Sequence, residues 1–457
     1  MIRLEGRRLQ YAATISASLL NANSGMAILW PSPVLPMLYA EDSPIGSISW
    51  NEGSWVTSLL LIGSVFGNIM LGVQVNYFGR RGALLIASVP IFISWMLILF
   101  ARSVIILYIA RFVLGFFNAV PVAITIMYVG ETSEACVRGR LSFICLTFFE
   151  TAGVMTVIVG AYFTYETLAL IAAVFPVLFF MTFYFMPETP YFYLRNGDVR
   201  AAYKSLKQFR GKEDVSEELS MINANVEEAM SYKSSVLDLF RENSYRKPLF
   251  IILGLKVLHQ LSGGIAIQSY MKSIFQLAGT SLDPDTASII CAIVPLPAMI
   301  LASYLIDRVG RKPLYYVSLM GCIIAMLFET IFFFLKELPD TNLDLISWLP
   351  ISGIFLNFAF RPVGISSLAN IILNELFPAN IKGEAISVSL VFGSTLSSMV
   401  SYGFPGFSMM FGVQWSFLIF CIICFVGLWF VIIYVPETKG QTLEAIQSEI
   451  KEETQHF

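Results

Sequence analysis

Residues 255–270 read LKVLHQLSGGIAIQSY, which places Lys256, His259, Gln260 and Gln268 inside an otherwise apolar run. Lipid hydrocarbon excludes such side chains: a Lys at the centre of a bilayer costs roughly 2.5–3.5 kcal/mol on insertion scales. At helical spacing Lys256, Gln260, Gly263, Ile267 and Tyr270 share one face, flanked by His259, Ser262, Ala266 and Ser269. That face must turn to the protein interior or to a water-filled cavity. Two amides and an imidazole are equipped to bind by hydrogen bonds. Catalytic chemistry has little support elsewhere: there is no nucleotide-binding loop, no metal-ligand cluster and only two histidines, the second at His456. Neither enzyme activity nor a cofactor or metal is expected. Ser262, Gly263 and Gly264 are small enough to let the helix bend or unwind at the polar stretch. Glu150 and Arg361 are further charges in apolar runs.

The surrounding chain is built for a membrane. Of 457 residues, 56 % are hydrophobic and 13 % charged, against about a quarter charged in soluble domains. Apolar runs of roughly 20 residues, long enough to span the hydrocarbon, recur twelve times, near 11–31, 54–75, 83–101, 104–130, 141–164, 167–186, 249–277, 287–306, 313–335, 345–374, 385–411 and 414–435. The basic N-terminus lacks a small-residue cleavage site and reads as leading into a retained first span. With the N-terminus in the cytoplasm, 23 of the 29 Lys and Arg fall on the cytoplasmic side, in line with the positive-inside rule. The outer loops carry acids instead: Glu41, Asp42, Glu52, Asp283 and Asp285. A multi-pass protein with both termini cytoplasmic is expected. Cys421 and Cys424 form a CxxC within an apolar helix and without a second pair, so they read as packing residues.

The chain repeats itself. NYFGRR (76–81) returns as DRVGRK (307–312), ETSEACVRG (131–139) as ELFPANIKG (375–383), and PET at 187–189 as PET at 436–438, at offsets of 231, 244 and 249 residues. Two copies of a six-helix unit follow, an arrangement that characterises one large class of transporters. The expected organisation is an all-α membrane protein with an N-terminal six-helix bundle over 1–190, a cytoplasmic linker with short helices over 191–248, a C-terminal six-helix bundle over 249–440 and a cytoplasmic tail over 441–457.

GRR, DRVGRK, PETP, HQLSG and VPETKGQTLEAI together resemble the sugar porter branch of the major facilitator superfamily over essentially the full chain. WPSPVLPML, SWVTSLLLIGSVFG and LIDRVGRKPLYYVS look most like insect facilitated trehalose transporters. The resemblance implies the twelve-helix major facilitator fold and plasma-membrane transport of a sugar by alternating access. It also implies an inner gate at the repeated cytoplasmic motifs, which map here to Gly79, Arg80, Arg81, Glu131, Arg138, Glu188, Asp307, Arg308, Gly310, Arg311, Lys312, Glu375, Lys382 and Glu437. Asp307 and Arg308 are expected to join Glu375 and Lys382 in a salt-bridge network. In the family the span-seven stretch reads Gln-Gln-Leu-Ser-Gly-x-Asn and its amides bind sugar hydroxyls. By that correspondence Gln260 is the leading solute ligand, with His259, Gln268, Asn370 and Arg361 as further candidates.

The sequence also departs from the family. The first Gln is His259 and the Asn is Ile265. The span-ten Pro-x-Pro-Trp falls on Ser367, Leu368, Ala369 and Asn370, and the Asn-Trp of span eleven on Gly393 and Ser394. Asn76 and Tyr77 replace a usual Asp and Arg. Three readings of the intramembrane charges stay open. Lys256, His259 and Arg361 line a remodelled cavity; or Glu150 pairs with Lys256 or Arg361 in a structural role; or Lys256 snorkels to the cytoplasmic end. Span one carries no acid, which favours uniport over proton symport. The alternatives are a non-transporting sensor on a carrier fold and a carrier of a non-sugar or anionic solute. The expected partners are a small-molecule solute and the lipid bilayer, not nucleic acid; the oligomeric state is unknown.

Overall fold

The structure is a computed structural model that describes residues 5–231, 235–339, 343–378 and 381–437. Most of VPETKGQTLEAI, the tail with Lys439 and Lys451, and His456 lie outside the described residues. Nineteen α-helices make up the described chain and no strand occurs among the described residues. In order they are α1 Arg7–Leu29, α2 Pro31–Tyr39, α3 Trp50–Leu99, α4 Val104–Thr132, α5 Ala135–Tyr162, α6 Tyr165–Phe183, α7 Pro190–Arg195, α8 Val199–Arg210, α9 Ser216–Ser231 and α10 Asp238–Arg241. They continue with α11 Asn243–Leu261, α12 Gly264–Ala278, α13 Pro284–Ile293, α14 Pro295–Val309, α15 Arg311–Glu337, α16 Leu349–Phe360, α17 Leu368–Leu376, α18 Lys382–Phe411 and α19 Val413–Tyr434.

Ten stretches among the described residues are long and apolar enough to cross a membrane. One of them, α3, runs for 50 residues, about 75 Å of helix against a hydrocarbon core of about 30 Å. Gly79 interrupts it at φ 76°, ψ 177°, so α3 is two spans meeting at a turn that only glycine takes without strain. α1 is 23 residues long, a spanning length, and its Gln10, Asn21 and Asn23 make it more polar than the other spans. Splitting α3 and adding α1 gives the twelve spans that the hydrophobic pattern predicts. Span seven is the pair α11 and α12, span eight α13 and α14, span ten α16 and α17.

Local signals set the ends. Ser103 and Thr164 cap α4 and α6 with their hydroxyls; the Thr189 hydroxyl and the Asp283 carboxylate cap the helices that open at Pro190 and Pro284, where a missing N–H is harmless. The chain divides into two compact units. One comprises 1–28 with 59–233; the other comprises 29–58 with 234–457. In the first unit α8 and α9 cover a small apolar cluster around Leu206, Leu219 and Ile222. Arg210 ties them to the bundle, pairing with Glu218 and donating to the Thr132 carbonyl at 2.8 Å. In the second unit the core gathers side chains from α11, α15, α17 and α19, among them Leu255, Leu319, Ile372 and Cys424.

Candidate functional site

The face that holds Lys256 and Gln260 is cut short. α11 ends at Leu261, Gly263 takes φ 83° and α12 starts afresh at Gly264. The helical face drawn through Ile267 and Tyr270 therefore does not continue past the break. Ending a helix inside a membrane leaves carbonyls without partners. Here the His259 carbonyl accepts from the Arg361 Nη2 at 2.9 Å and from the Ser262 hydroxyl at 3.2 Å. A cation at a helix C-terminus also complements its dipole. Gly264 makes this possible, because any Cβ there would land on the guanidinium. Arg361 is buried and works as a clamp on the helix break.

Lys256 is buried too, and its Nζ donates to the Asn370 Oδ1 at 2.9 Å. Of the three readings of this charge, the contact described is with an amide of α17. Gly393 of α18 faces the same place: a Cβ there would stand 3.6 Å from the Gln260 Nε2 and 3.7 Å from the Lys256 Cδ. So Lys256, Gln260, Asn370 and Gly393 come together within one unit, contributed by α11, α17 and α18. The Gln260 amide is half-buried and makes no hydrogen bond among the described residues. His259 and Gln268 are also half-buried, and the Gln268 amide makes no hydrogen bond among the described residues. Glu150 lies mid-way along α5 in the other unit.

At the opposite end of span seven, segment 29–58 closes over α12. The Tyr270 and Thr57 hydroxyls lie 2.6 Å apart, and Tyr270 donates to the Ser401 carbonyl at 3.1 Å. Trp55 packs on Tyr402 with ring centroids 4.8 Å apart, and the Ser32 hydroxyl accepts from the Lys272 amide. This closure is not among the expectations drawn from the sequence. The dense prolines of WPSPVLPML were the available signal, since they break span one and redirect α2.

The repeated motifs form the same device twice. Arg80 pairs with Glu131 at 2.8 Å, and Arg311 pairs with Glu375 at 2.8 Å. Glu188 accepts from the Arg81 amide at 2.8 Å and the Gly82 amide at 3.4 Å. Glu437 accepts from the Arg311 and Lys312 amides, both at 3.0 Å. Each PET glutamate thus caps the helix that starts after Gly79 or Gly310, whose φ values are 76° and 108°. Arg81 and Lys312 each reach one more carbonyl, of Tyr184 and Ile432. This differs from the expected pairing. Each acid bonds the arginine of the glycine turn. Arg138 reaches only the Ser133 carbonyl at 3.5 Å among the described bonds, and Lys382 makes no ion pair among the described residues. Arg308 lies over the Tyr304 ring at 4.1 Å; the side chain of Asp307 lies outside the description. Burial pushes the Glu188 carboxyl up, against the pull of the Thr189, Arg81 and Gly82 amides and the Arg80 charge. Asn76, one of the departures, accepts from the Arg195 guanidinium at 2.6 Å.

The family model described as "Sugar (and other) transporter" matches residues 25–450. The chain belongs to this sugar transporter family. It is 34 % identical over 443 residues to the facilitated trehalose transporter Tret1 of Drosophila mojavensis, covering 96 % of this chain and 51 % of that protein. Against Tret1 of Culex quinquefasciatus it is 33 % identical over 441 residues, covering 96 % and 85 %. The chain spans about half the length of the Drosophila relatives it matches. The inward-open structure of the xylose transporter XylE from E. coli superposes with a TM-score of 0.79 over 96 % of this chain and 99 % of that one, at 19 % identity. The fold is the twelve-helix major facilitator fold, as the repeated motifs imply.

Proposed function

We infer that the protein is a facilitative carrier of the plasma membrane, with both termini cytoplasmic, moving a sugar or sugar-like solute by alternating access. The observation that carries the reading is the Gln260 amide, unbonded and accessible beside the gap that Gly393 leaves, on a span hinged at Gly263. A neutral polyol needs donors and acceptors and no fixed charge, and a free amide offers both. The kinship with proteins named as facilitated trehalose transporters favours a sugar. α1 carries no Asp or Glu, which supports uniport. The paired arginine–glutamate clasps, one in each repeat, suit an inner gate that opens and closes. A second reading, an anionic solute, is favoured by the buried Lys256 ammonium beside Gln260.

Uptake into cells lacking endogenous transport, across glucose, trehalose, sucrose and a sugar acid, tests both readings. Gln260→Ala is expected to weaken apparent affinity about 5- to 10-fold, the loss of one neutral hydrogen bond of about 1 kcal/mol, at unchanged surface abundance. Wild-type kinetics in that variant would remove Gln260 from the site. Surface expression without uptake of any of the four would favour a sensor.

A further inference from the structure

Glu329 lies in the middle of span nine and has no place in the solute site or the clasps. It sits five residues, about 8 Å, from the midpoint of the 27-residue α15, and it is completely buried. Neither carboxyl oxygen has a hydrogen-bond partner among the described residues. The Ile354 amide faces it but falls outside hydrogen-bond geometry and belongs to the ladder of α16. Opposite stands Gly353 of α16. A Cβ there would be 2.5 Å from the Glu329 Oε1 and 3.0 Å from the Ala325 carbonyl oxygen. The notch left by that glycine is therefore lined by two oxygens.

Two oxygens facing one small apolar notch repel if the carboxyl is ionised. They attract if one carries a proton to donate to the other. Water and counter-charge are the alternatives for a buried carboxylate, and no cation faces this one among the described residues. From α13 the Cys291 thiol faces it. From α19 the titratable groups are Cys421 and Cys424, with Tyr434 at its far end. α12 carries Lys272, whose ammonium is committed to Asp285 of α13. α14 offers Tyr304 and Arg308 at its far end, and α15 itself Lys336 and Glu337 beyond the site. Along α16 the next polar residue is Asn357, also fully buried, with both amide atoms unpartnered. Arg361 comes one turn later, at the level where Gly321 packs under Phe360. Gly321 is eight residues from Glu329, about 12 Å of helix.

We propose that Glu329 is a proton-binding site inside the membrane portion of the C-terminal unit: it is carried as the neutral acid, and its proton closes the notch between α15 and α16. The proton is a resident ligand, distinct from a transported one, and losing it sets an uncompensated charge between two packed helices.

Infrared spectra and thermal melts of the purified full chain test this, and neither requires the solute. At neutral pH the wild type is expected to show the carbonyl stretch of a protonated carboxylic acid that Glu329→Gln lacks. That band should fade at alkaline pH, with the wild-type melting temperature falling while that of Glu329→Gln stays level. Absence of the band, or melting temperatures that fall in parallel, overturns the proposal. If Glu329→Gln does not fold, Gly353→Ala serves in its place, because its methyl presses on the carboxyl. A protonated-acid band that this variant does not shift also overturns the assignment.

Discussion

Replacing Gly264 by Ala puts a methyl group where the Arg361 guanidinium now lies. Gly264 opens α12 at an ordinary negative φ, since it is absent from the glycines with positive φ. The backbone therefore accepts Ala, and at a helix position Ala is worth about 0.5–1 kcal/mol over Gly. Against that, the flexible end of Arg361 must move away and release the His259 carbonyl. A hydrogen bond to a charged group contributes about 1.5–3 kcal/mol. The net expectation for Gly264→Ala is a loss of about 1–2 kcal/mol. In an Arg361→Met background the guanidinium is gone and only the helix term remains, so the same substitution should stabilise by about 0.5–1 kcal/mol. The sign reverses, and a double-mutant cycle should return a coupling of about 1.5–3 kcal/mol. Reversible unfolding in mixed micelles, followed by circular dichroism, measures all four corners. If Gly264→Ala costs the same with and without Arg361, the glycine does not accommodate the clamp and the account of the span-seven break is wrong.

Glu188 gives a pH signature. Its carboxyl is raised by burial, so the folded chain holds that proton more tightly than the unfolded chain. The contribution is fully present below the ordinary carboxyl value of about 4.3 and is lost as pH rises through the raised folded value. Relative to Glu188→Gln, the wild type should lose melting temperature from acid towards neutral pH; parallel curves reject the buried carboxylate. Restoring Asp and Arg at positions 76 and 77 gives Arg195 an ionic partner at Asn76, and Tyr77 is exposed enough to change freely. The double variant should favour the outward-facing form, read as reduced labelling of cysteines placed at the inner face; unchanged labelling counts against a gating role for this turn.

What the sequence discloses and what it conceals divide along a physical line. Local information places the spans, because roughly 20 apolar residues suffice to mark each one, and the glycine of each GR turn shows where α3 divides and α15 begins. Pairings between distant helices are not local. Glu131 and Arg138 look like partners by spacing, but α4 ends at Thr132 and α5 begins at Ala135, so the acid turns across to Arg80 of a neighbouring helix. The 3.6-residue stripe through span seven holds up to Gly263 and no further, since periodicity assumes an unbroken helix. Arg361 reads as a solute-facing charge in the sequence; only the contact at Gly264 reveals its clamp on the helix break. The place of Gln260 just before the helix break is readable because its framework, HQLSG, survives.

The unit that contains the polar cluster is not contiguous in the chain: it takes residues 29–58 from the first span region and the rest from 234 onward. Thr57 meets Tyr270 across 213 residues of sequence. During synthesis that early stretch emerges long before α12 and α18 exist, and it stays without its eventual neighbours while most of the protein is still being made. The later half of the molecule is thus completed by one of the oldest pieces of the nascent chain. Severing the chain after residue 233 would leave the first unit whole on one polypeptide and strip the second of residues 29–58.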